Sequence, residues 1–186
     1  MPVLFDPRVG GGLIGALLGA MGGPGIARRT SFLLGREDEM LFDSAIVIVD
    51  DPHRRRGLRS RPFDGEGVTT GPSRLIDAGR MTGWLLNAAS ARQLGLDTNG
   101  HATRGIGGAP GVGATNVHLE PGELTPEALR ADVKRGLYVT EMIGQGVEAL
   151  KLPSGRSLTI AGMQCNQFII TRRDGSSYTT IHAATH

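Results

Sequence analysis

The 186-residue chain has the length of about one domain, and 39% apolar residues suffice for a core. Twenty Lys and Arg against eighteen Asp and Glu leave a formal charge of +2, too small to dictate a nucleic-acid or membrane partner. A single cysteine, Cys165, rules out an internal disulfide, and no apolar run reaches the roughly 20 residues that span a bilayer. The N-terminus MPVLFDPRV lacks a signal-peptide pattern, so a cytoplasmic location is expected.

In chain order, residues 2–6 read as a short strand closed by Pro7. Leu13, Leu17 and Met21, with Ile14 and Leu18, then recur at helical spacing, while Gly12, Gly15, Ala16, Gly19 and Ala20 make the other face small. Each glycine costs such a helix about 1 kcal/mol relative to alanine, so a close packing partner is expected. The glycines and Pro24 at 22–25 should end it. The run AIVIVD at 45–50 reads as a buried strand, and DDPHRRRGLRSRPFDGEG as a polar loop. SRLIDAGRMTGWLLN, from Ser73, predicts a hairpin turning at Asp77–Gly79.

Residues 90–96 suggest a short helix or turn, and NGHATRGIGGAPGVGATN a glycine-rich loop before a strand around NVHLEP. Thr125 and Pro126 are placed as N-cap and first residue of a helix, with Arg130, Lys134 and Arg135 toward its C-terminal half. LYVTEMIG is a further strand, and FIITRRDGSSYTTIHA reads as a hairpin about Asp-Gly. The 29 glycines and ten prolines fit many turns, and no βαβ alternation is visible. The expected fold class is α+β, with a mainly antiparallel sheet and a few short helices.

Chemistry-bearing residues are sparse. His53, His101, His118, His182 and His186 are scattered, no Gly-x-Ser-x-Gly surrounds Ser60, and Cys165 has no neighbour that would lower its pKa. GIGGAPGVG at 105–113 lacks the Gly-Lys-Ser/Thr ending of a phosphate loop. Arg54, Arg55, Arg56, Arg59 and Arg61 form a basic cluster that could hold phosphates. Asp50, Asp51, Asp64 and Glu66 flank it and Phe63 is its one aromatic, which favours a solvated loop or an ion-pair network.

FDPRV at 5–9, RRTSFLLG at 28–35, DDPHRRRGLRSRPFDGEGV at 50–68, TGWLLNAASARQLGL at 82–96, NGHATRG at 99–105, TNVHLEPG at 115–122 and LYVTEMIGQGV at 137–147 together resemble one family. It is the TldD/TldE (PmbA) metallopeptidase family, and the chain is similar to the C-terminal domain of the TldE side over residues 1–147. The resemblance implies a cytosolic bacterial protease of two homologous subunits that processes peptides and unfolded polypeptides. Its older name, modulator of DNA gyrase, implies no DNA contact. In the TldD subunit a His-Glu-x-x-x-His zinc motif lies on the helix that matches residues 10–25, where this chain has no His, Glu, Asp or Cys. The resemblance therefore implies a partner without catalysis of its own, zinc only in the TldD-like subunit, and no metal or other cofactor here.

The chain begins at about the point where the family's C-terminal domain starts. After GQGV it lacks the Thr-Gly-Asp-Tyr-Ser-Arg-Gly type of segment, so residues 148–186 read as a divergent hairpin tail continuing the same domain. Exposed sheet edges there could drive self-association. An extended peptide added to a sheet edge is the expected mode of holding substrate, with His101, Arg104, Thr115 and Asn116 as contacts because their segments match the family near the substrate path. The alternatives are a nucleic-acid-binding module through the Arg54–Arg61 cluster, or a stand-alone metallopeptidase with a site rebuilt from His101, His118 and Cys165.

Overall fold

The computed structural model describes residues 2–37, 39–133, 136–143, 148–151, 157–160, 167–171 and 177–181. In chain order the elements are β1 (Val3–Phe5), α1 (Pro7–Ala20), α2 (Gly23–Ala27), β2 (Ile48–Asp50), β3 (Ser73–Asp77), β4 (Arg80–Met81), α3 (Ala88–Leu94), β5 (Ala102–Thr103), β6 (Gly111–Val112), β7 (Val117–Leu119), α4 (Pro126–Asp132), β8 (Leu137–Ile143), β9 (Glu148–Lys151), β10 (Ser157–Ile160), β11 (Gln167–Thr171) and β12 (Ser177–Ile181). This is the expected α+β class. The chain divides into two compact units, one formed by Met1–Leu17 with Glu123–His186 and the other by Leu18–Gly122.

In the first unit the sheet order is β1-β8-β11-β12, and a separate ladder joins β9 to β10. β1 runs parallel to β8, with Val3 opposite Leu137 and Phe5 opposite Val139, whereas β8, β11 and β12 pair antiparallel. That parallel pair joins strands far apart in sequence, so local periodicity could not announce it. Asp6 fixes the exit from β1: its carbonyl accepts from Val9 N at 2.8 Å and its carboxylate from Arg8 N at 3.0 Å, which caps the start of α1. The Arg8 guanidinium, its amide and the Tyr138 hydroxyl hold the Asp6 carboxyl well below the usual carboxylate range, and the same bond pushes the Tyr138 hydroxyl up. Pro7 thus opens a helix as well as closing a strand. α4 has the predicted cap, Thr125 Oγ1 accepting from Ala128 N at 3.2 Å; Lys134 and Arg135 lie outside the described residues. The predicted final hairpin appears as the β11–β12 ladder, with its turn outside them.

The expected tight partner is not found among the described residues for four of the α1 glycines. A Cβ at Gly10, Gly11, Gly15 or Gly19 would meet nothing within 4 Å, and Val9 is the helix's one buried residue. The glycines at 22–25 do end α1, and in doing so they start α2, with Pro24 in its first turn. Close packing occurs there instead: a Cβ on Gly23 would lie 2.6 Å from Leu86 Cδ2 and 2.7 Å from Ser90 Oγ.

The second unit holds a sheet of order β4-β3-β2-β7 and the small β5–β6 hairpin, every ladder antiparallel. Met21, Ile26, Leu33, Ile48, Leu75, Ile76, Met81, Trp84, Leu85 and Leu86 are buried in it. β2 is shorter than the apolar run 45–50, because Asp43 accepts from the amides of Ala45 and Ile46 and turns the entering chain. The second arm of the 73–87 hairpin ends at Met81, after which Leu85 N bonds Met21 O at 3.0 Å and Leu85 O accepts from Gly23 N. The glycine-rich passage predicted as loop contains β5 and β6, pinned by Gly113 N to His101 O at 2.9 Å. No helix among the described residues is long and apolar enough to cross a membrane.

Candidate functional site

β2 places the carboxylate of Asp50 in the interior of the second unit. It accepts from Thr115 N at 2.9–3.0 Å through both oxygens and from the Thr115 hydroxyl, and it faces His101 Nε2 at 3.4 Å. Burial pushes the Asp50 carboxyl up, but the hydrogen bonds from His101 and Thr115 and the His101 charge together bring it below its ordinary value. Asn99 orients the imidazole. Its Nδ2 donates to Trp84 O at 2.7 Å and its Oδ1 accepts from Leu86 N at 3.1 Å, so the 2.9 Å contact to His101 requires a proton on Nδ1. When Nε2 also carries one, His101 and Asp50 form a buried ion pair.

Of the four residues expected as peptide contacts, His101 and Thr115 therefore meet on one buried carboxylate. Asn116 serves the neighbouring loop, with Nδ2 donating to Asp51 O and Ser60 Oγ at 2.8 and 2.9 Å and Oδ1 accepting from Arg59 N at 3.1 Å. Arg104 is exposed and apart from these contacts. His118 lies opposite Val49 on β7, one register step from Asp50, so it projects from the other sheet face. His101 and His118 thus cannot share a rebuilt metal site, and Cys165, His182 and His186 lie outside the described residues. No group of three or more His, Cys, Asp or Glu suited to a metal is found among the described residues.

The acids flanking the arginines do not pair with Arg54, Arg55, Arg56 or Arg59, as an ion-pair network would require. Asp51 accepts from His53 N, and Asp64 accepts from Glu66 N, Val68 N and Ala102 N at 2.9–3.0 Å. Burial raises the Asp64 carboxyl, and these three amides with the Arg61 charge more than reverse it. Glu66 accepts from Ala88 N at 2.7 Å, adding to the Asn87–Ser90 capping box of α3. The segment DDPHRRRGLRSRPFDGEGV is thus a solvated loop clamped by its own carboxylates.

β7 ends the sheet among the described residues. Asp51 N bonds Asn116 O and Glu120 N bonds Val47 O, so hydrogen-bonded positions fall at residues 116, 118 and 120. The backbone groups of Val117 and Leu119 consequently point outward, a row open to a further strand. Asp50, Asn99, Asp64, Glu66 and Asn87 escaped prediction. Asn87, just ahead of AASARQL, carried a readable N-cap signal, and Asp50 could have been noticed as an acid closing an apolar run.

Residues 1–155 match the family model of the PmbA/TldA metallopeptidase C-terminal domain. The metalloprotease PmbA of Escherichia coli O157:H7 is 38% identical over 149 residues, which are 80% of this chain and 31% of that protein. TldE from Thermococcus kodakarensis superposes with a TM-score of 0.68 at 25% identity, over 94% of this chain and 38% of that one. A proposed modulator of a DNA gyrase from Thermotoga maritima gives 0.71 at 26%, over 90% and 40%. The chain spans about a third of the length of the curated relatives it matches. By sequence and fold alike, it belongs to the PmbA/TldD metallopeptidase family, within the C-terminal domain.

Proposed function

We propose that the chain is a TldE/PmbA-like subunit of a bacterial, cytoplasmic TldD–TldE peptidase, one that holds peptide and completes the substrate channel while a TldD-like partner supplies zinc. The observation that carries this reading is α1: PRVGGGLIGALLGA, which the family resemblance matches to the helix of the TldD zinc motif, offers no imidazole, carboxylate or thiolate. Zinc does not fit these residues, and no catalytic step is assigned to them. The similarity to PmbA and TldE proteins supports the same side of the family.

The free edge of β7 supports the manner of holding. Main-chain pairing to Val117 and Leu119 would accept many sequences, as a processing enzyme requires. His101, Thr115 and Asn116 then act through position: they fix Asp50 and the residue preceding β7, and so the line of the edge.

Elemental analysis of the purified chain should find no stoichiometric zinc, and the chain alone should leave an unstructured peptide uncut with or without chelator. One zinc per chain, lost on substituting a histidine, would refute the assignment.

A further inference from the structure

The loop between β2 and the Phe63–Thr69 bridge presents Arg54, Arg55, Arg56 and Arg59 to solvent. No carboxylate lies within ion-pair distance of any of these four among the described residues. The loop that carries them is held from within. Arg54 N bonds Asp51 O, Gly57 N bonds Arg54 O at 2.9 Å, Ser60 Oγ donates to Arg54 O at 2.7 Å, and Arg61 N bonds Pro52 O at 2.9 Å. Arg56 takes a left-handed φ of 61°, and a Cβ on Gly57 would lie 2.7 Å from the Asn116 amide. A prearranged group of cations loses little freedom on meeting an anion.

Asn116 ties this loop to the chain immediately before Val117, so the arginines stand at the N-terminal end of the open β7 edge. At the other end, Glu120 is exposed. A strand added along β7 therefore lies between a positive and a negative end. We propose that the arginine loop selects extended polypeptides carrying a run of carboxylates, which it takes at the Asn116 end of the β7 edge.

This rests on the edge-strand reading above and adds a substrate class to it. A polypeptide fits better than a nucleic acid, because the apex residue among the arginines is the fully exposed Leu58 and a single aromatic, Phe63, lies beyond them, too few for a run of stacked bases. Leucine beside arginine suits a peptide with apolar and acidic side chains.

The test uses the purified chain and a labelled Thr/Val/Gln peptide with a run of Glu at one end, beside the same peptide with Gln in place of Glu, by fluorescence anisotropy at low salt. The Glu peptide should bind about tenfold more tightly, an advantage that fades as salt is raised. The combined variant R54Q/R55Q/R56Q/R59Q should reduce the advantage to less than about twofold while leaving the Gln peptide's affinity unchanged. Leu119→Pro removes an outward N–H without breaking the β2 ladder, and it should weaken both peptides. Equal binding of the two peptides, an advantage that survives the four substitutions, or tighter binding of a single-stranded DNA oligomer overturns the proposal and leaves the edge reading standing if Leu119→Pro still weakens peptide binding. Failure of every peptide to bind, or indifference to Leu119→Pro, overturns the edge reading and the proposal with it.

Discussion

Replacing Asp50 by alanine should lower the stability of the second unit by about 2–3 kcal/mol, the usual loss when a buried acceptor is removed and its donors are left unsatisfied. The carboxylate satisfies the Thr115 amide and the Thr115 hydroxyl, and alanine leaves both buried without an acceptor. Urea unfolding followed by the single tryptophan, Trp84, reads this directly, because Trp84 is buried in the same unit and its carbonyl accepts from Asn99. Asp50→Asn retains one acceptor oxygen and should lose less.

The same carboxylates set the acid response. Asp50 and Asp64 bind protons more weakly folded than unfolded, so unfolding takes up protons and acid promotes it. Their contribution is complete well above the ordinary carboxyl value of 3.8 and is lost as pH falls through that value toward the lower folded ones. Asp50→Asn should therefore flatten the stability profile below about pH 5 relative to the parent. A midpoint unchanged by Asp50→Ala would show that the Asp50 network does not hold this unit.

Gly79→Ala should cost about 3 kcal/mol, more than a left-handed alanine alone. Gly79 has φ +77° in the tight turn between β3 and β4, beside Ala78 at +45°. A Cβ there would overlap the Phe42 carbonyl oxygen and lie 2.7 Å from that of Asp43. The approach is enforced, because Gly79 O accepts from Leu41 N and Phe42 N at 3.0 and 3.1 Å and its N–H donates to Ile46 O at 3.0 Å. Gly35 provides the comparison: its φ is +80°, but a Cβ would meet nothing within 4 Å, so Gly35→Ala should cost only about 1 kcal/mol. Equal midpoints for the two variants would show that the 41–46 segment does not dock on the turn.

Local signals were legible in the sequence. Thr125-Pro126 before the α4 residues and the Asp77–Gly79 turn each express a short-range preference and lie where they were expected, and the apolar run ending at Asp50 holds a strand over its second half. Lost were features set by distant partners: the parallel β1–β8 pair, and the early end of β4 where Leu85 leaves to join Met21 and Gly23. The site shows the same limit. His101, Thr115 and Asn116 were picked out by their segments, yet their roles depend on Asp50 and Ser60, about 50 to 65 residues away along the chain. Of the two expectations for the arginine segment, solvated loop or ion-pair network, the loop is found, because the acids beside the arginines bond backbone amides. Gly10, Gly11, Gly15 and Gly19 of α1 remain without a packing explanation in the described residues.

Under the proposed function this chain pairs with a zinc-bearing relative and contributes no metal of its own. Mixing it with a TldD-type subunit and following both by size-exclusion chromatography with light scattering and zinc detection tests that most directly. A stoichiometric complex is expected, in which zinc follows the partner and peptide cleavage requires it. Separate elution of the two chains under conditions where each is folded, or zinc carried by this chain alone, would contradict it.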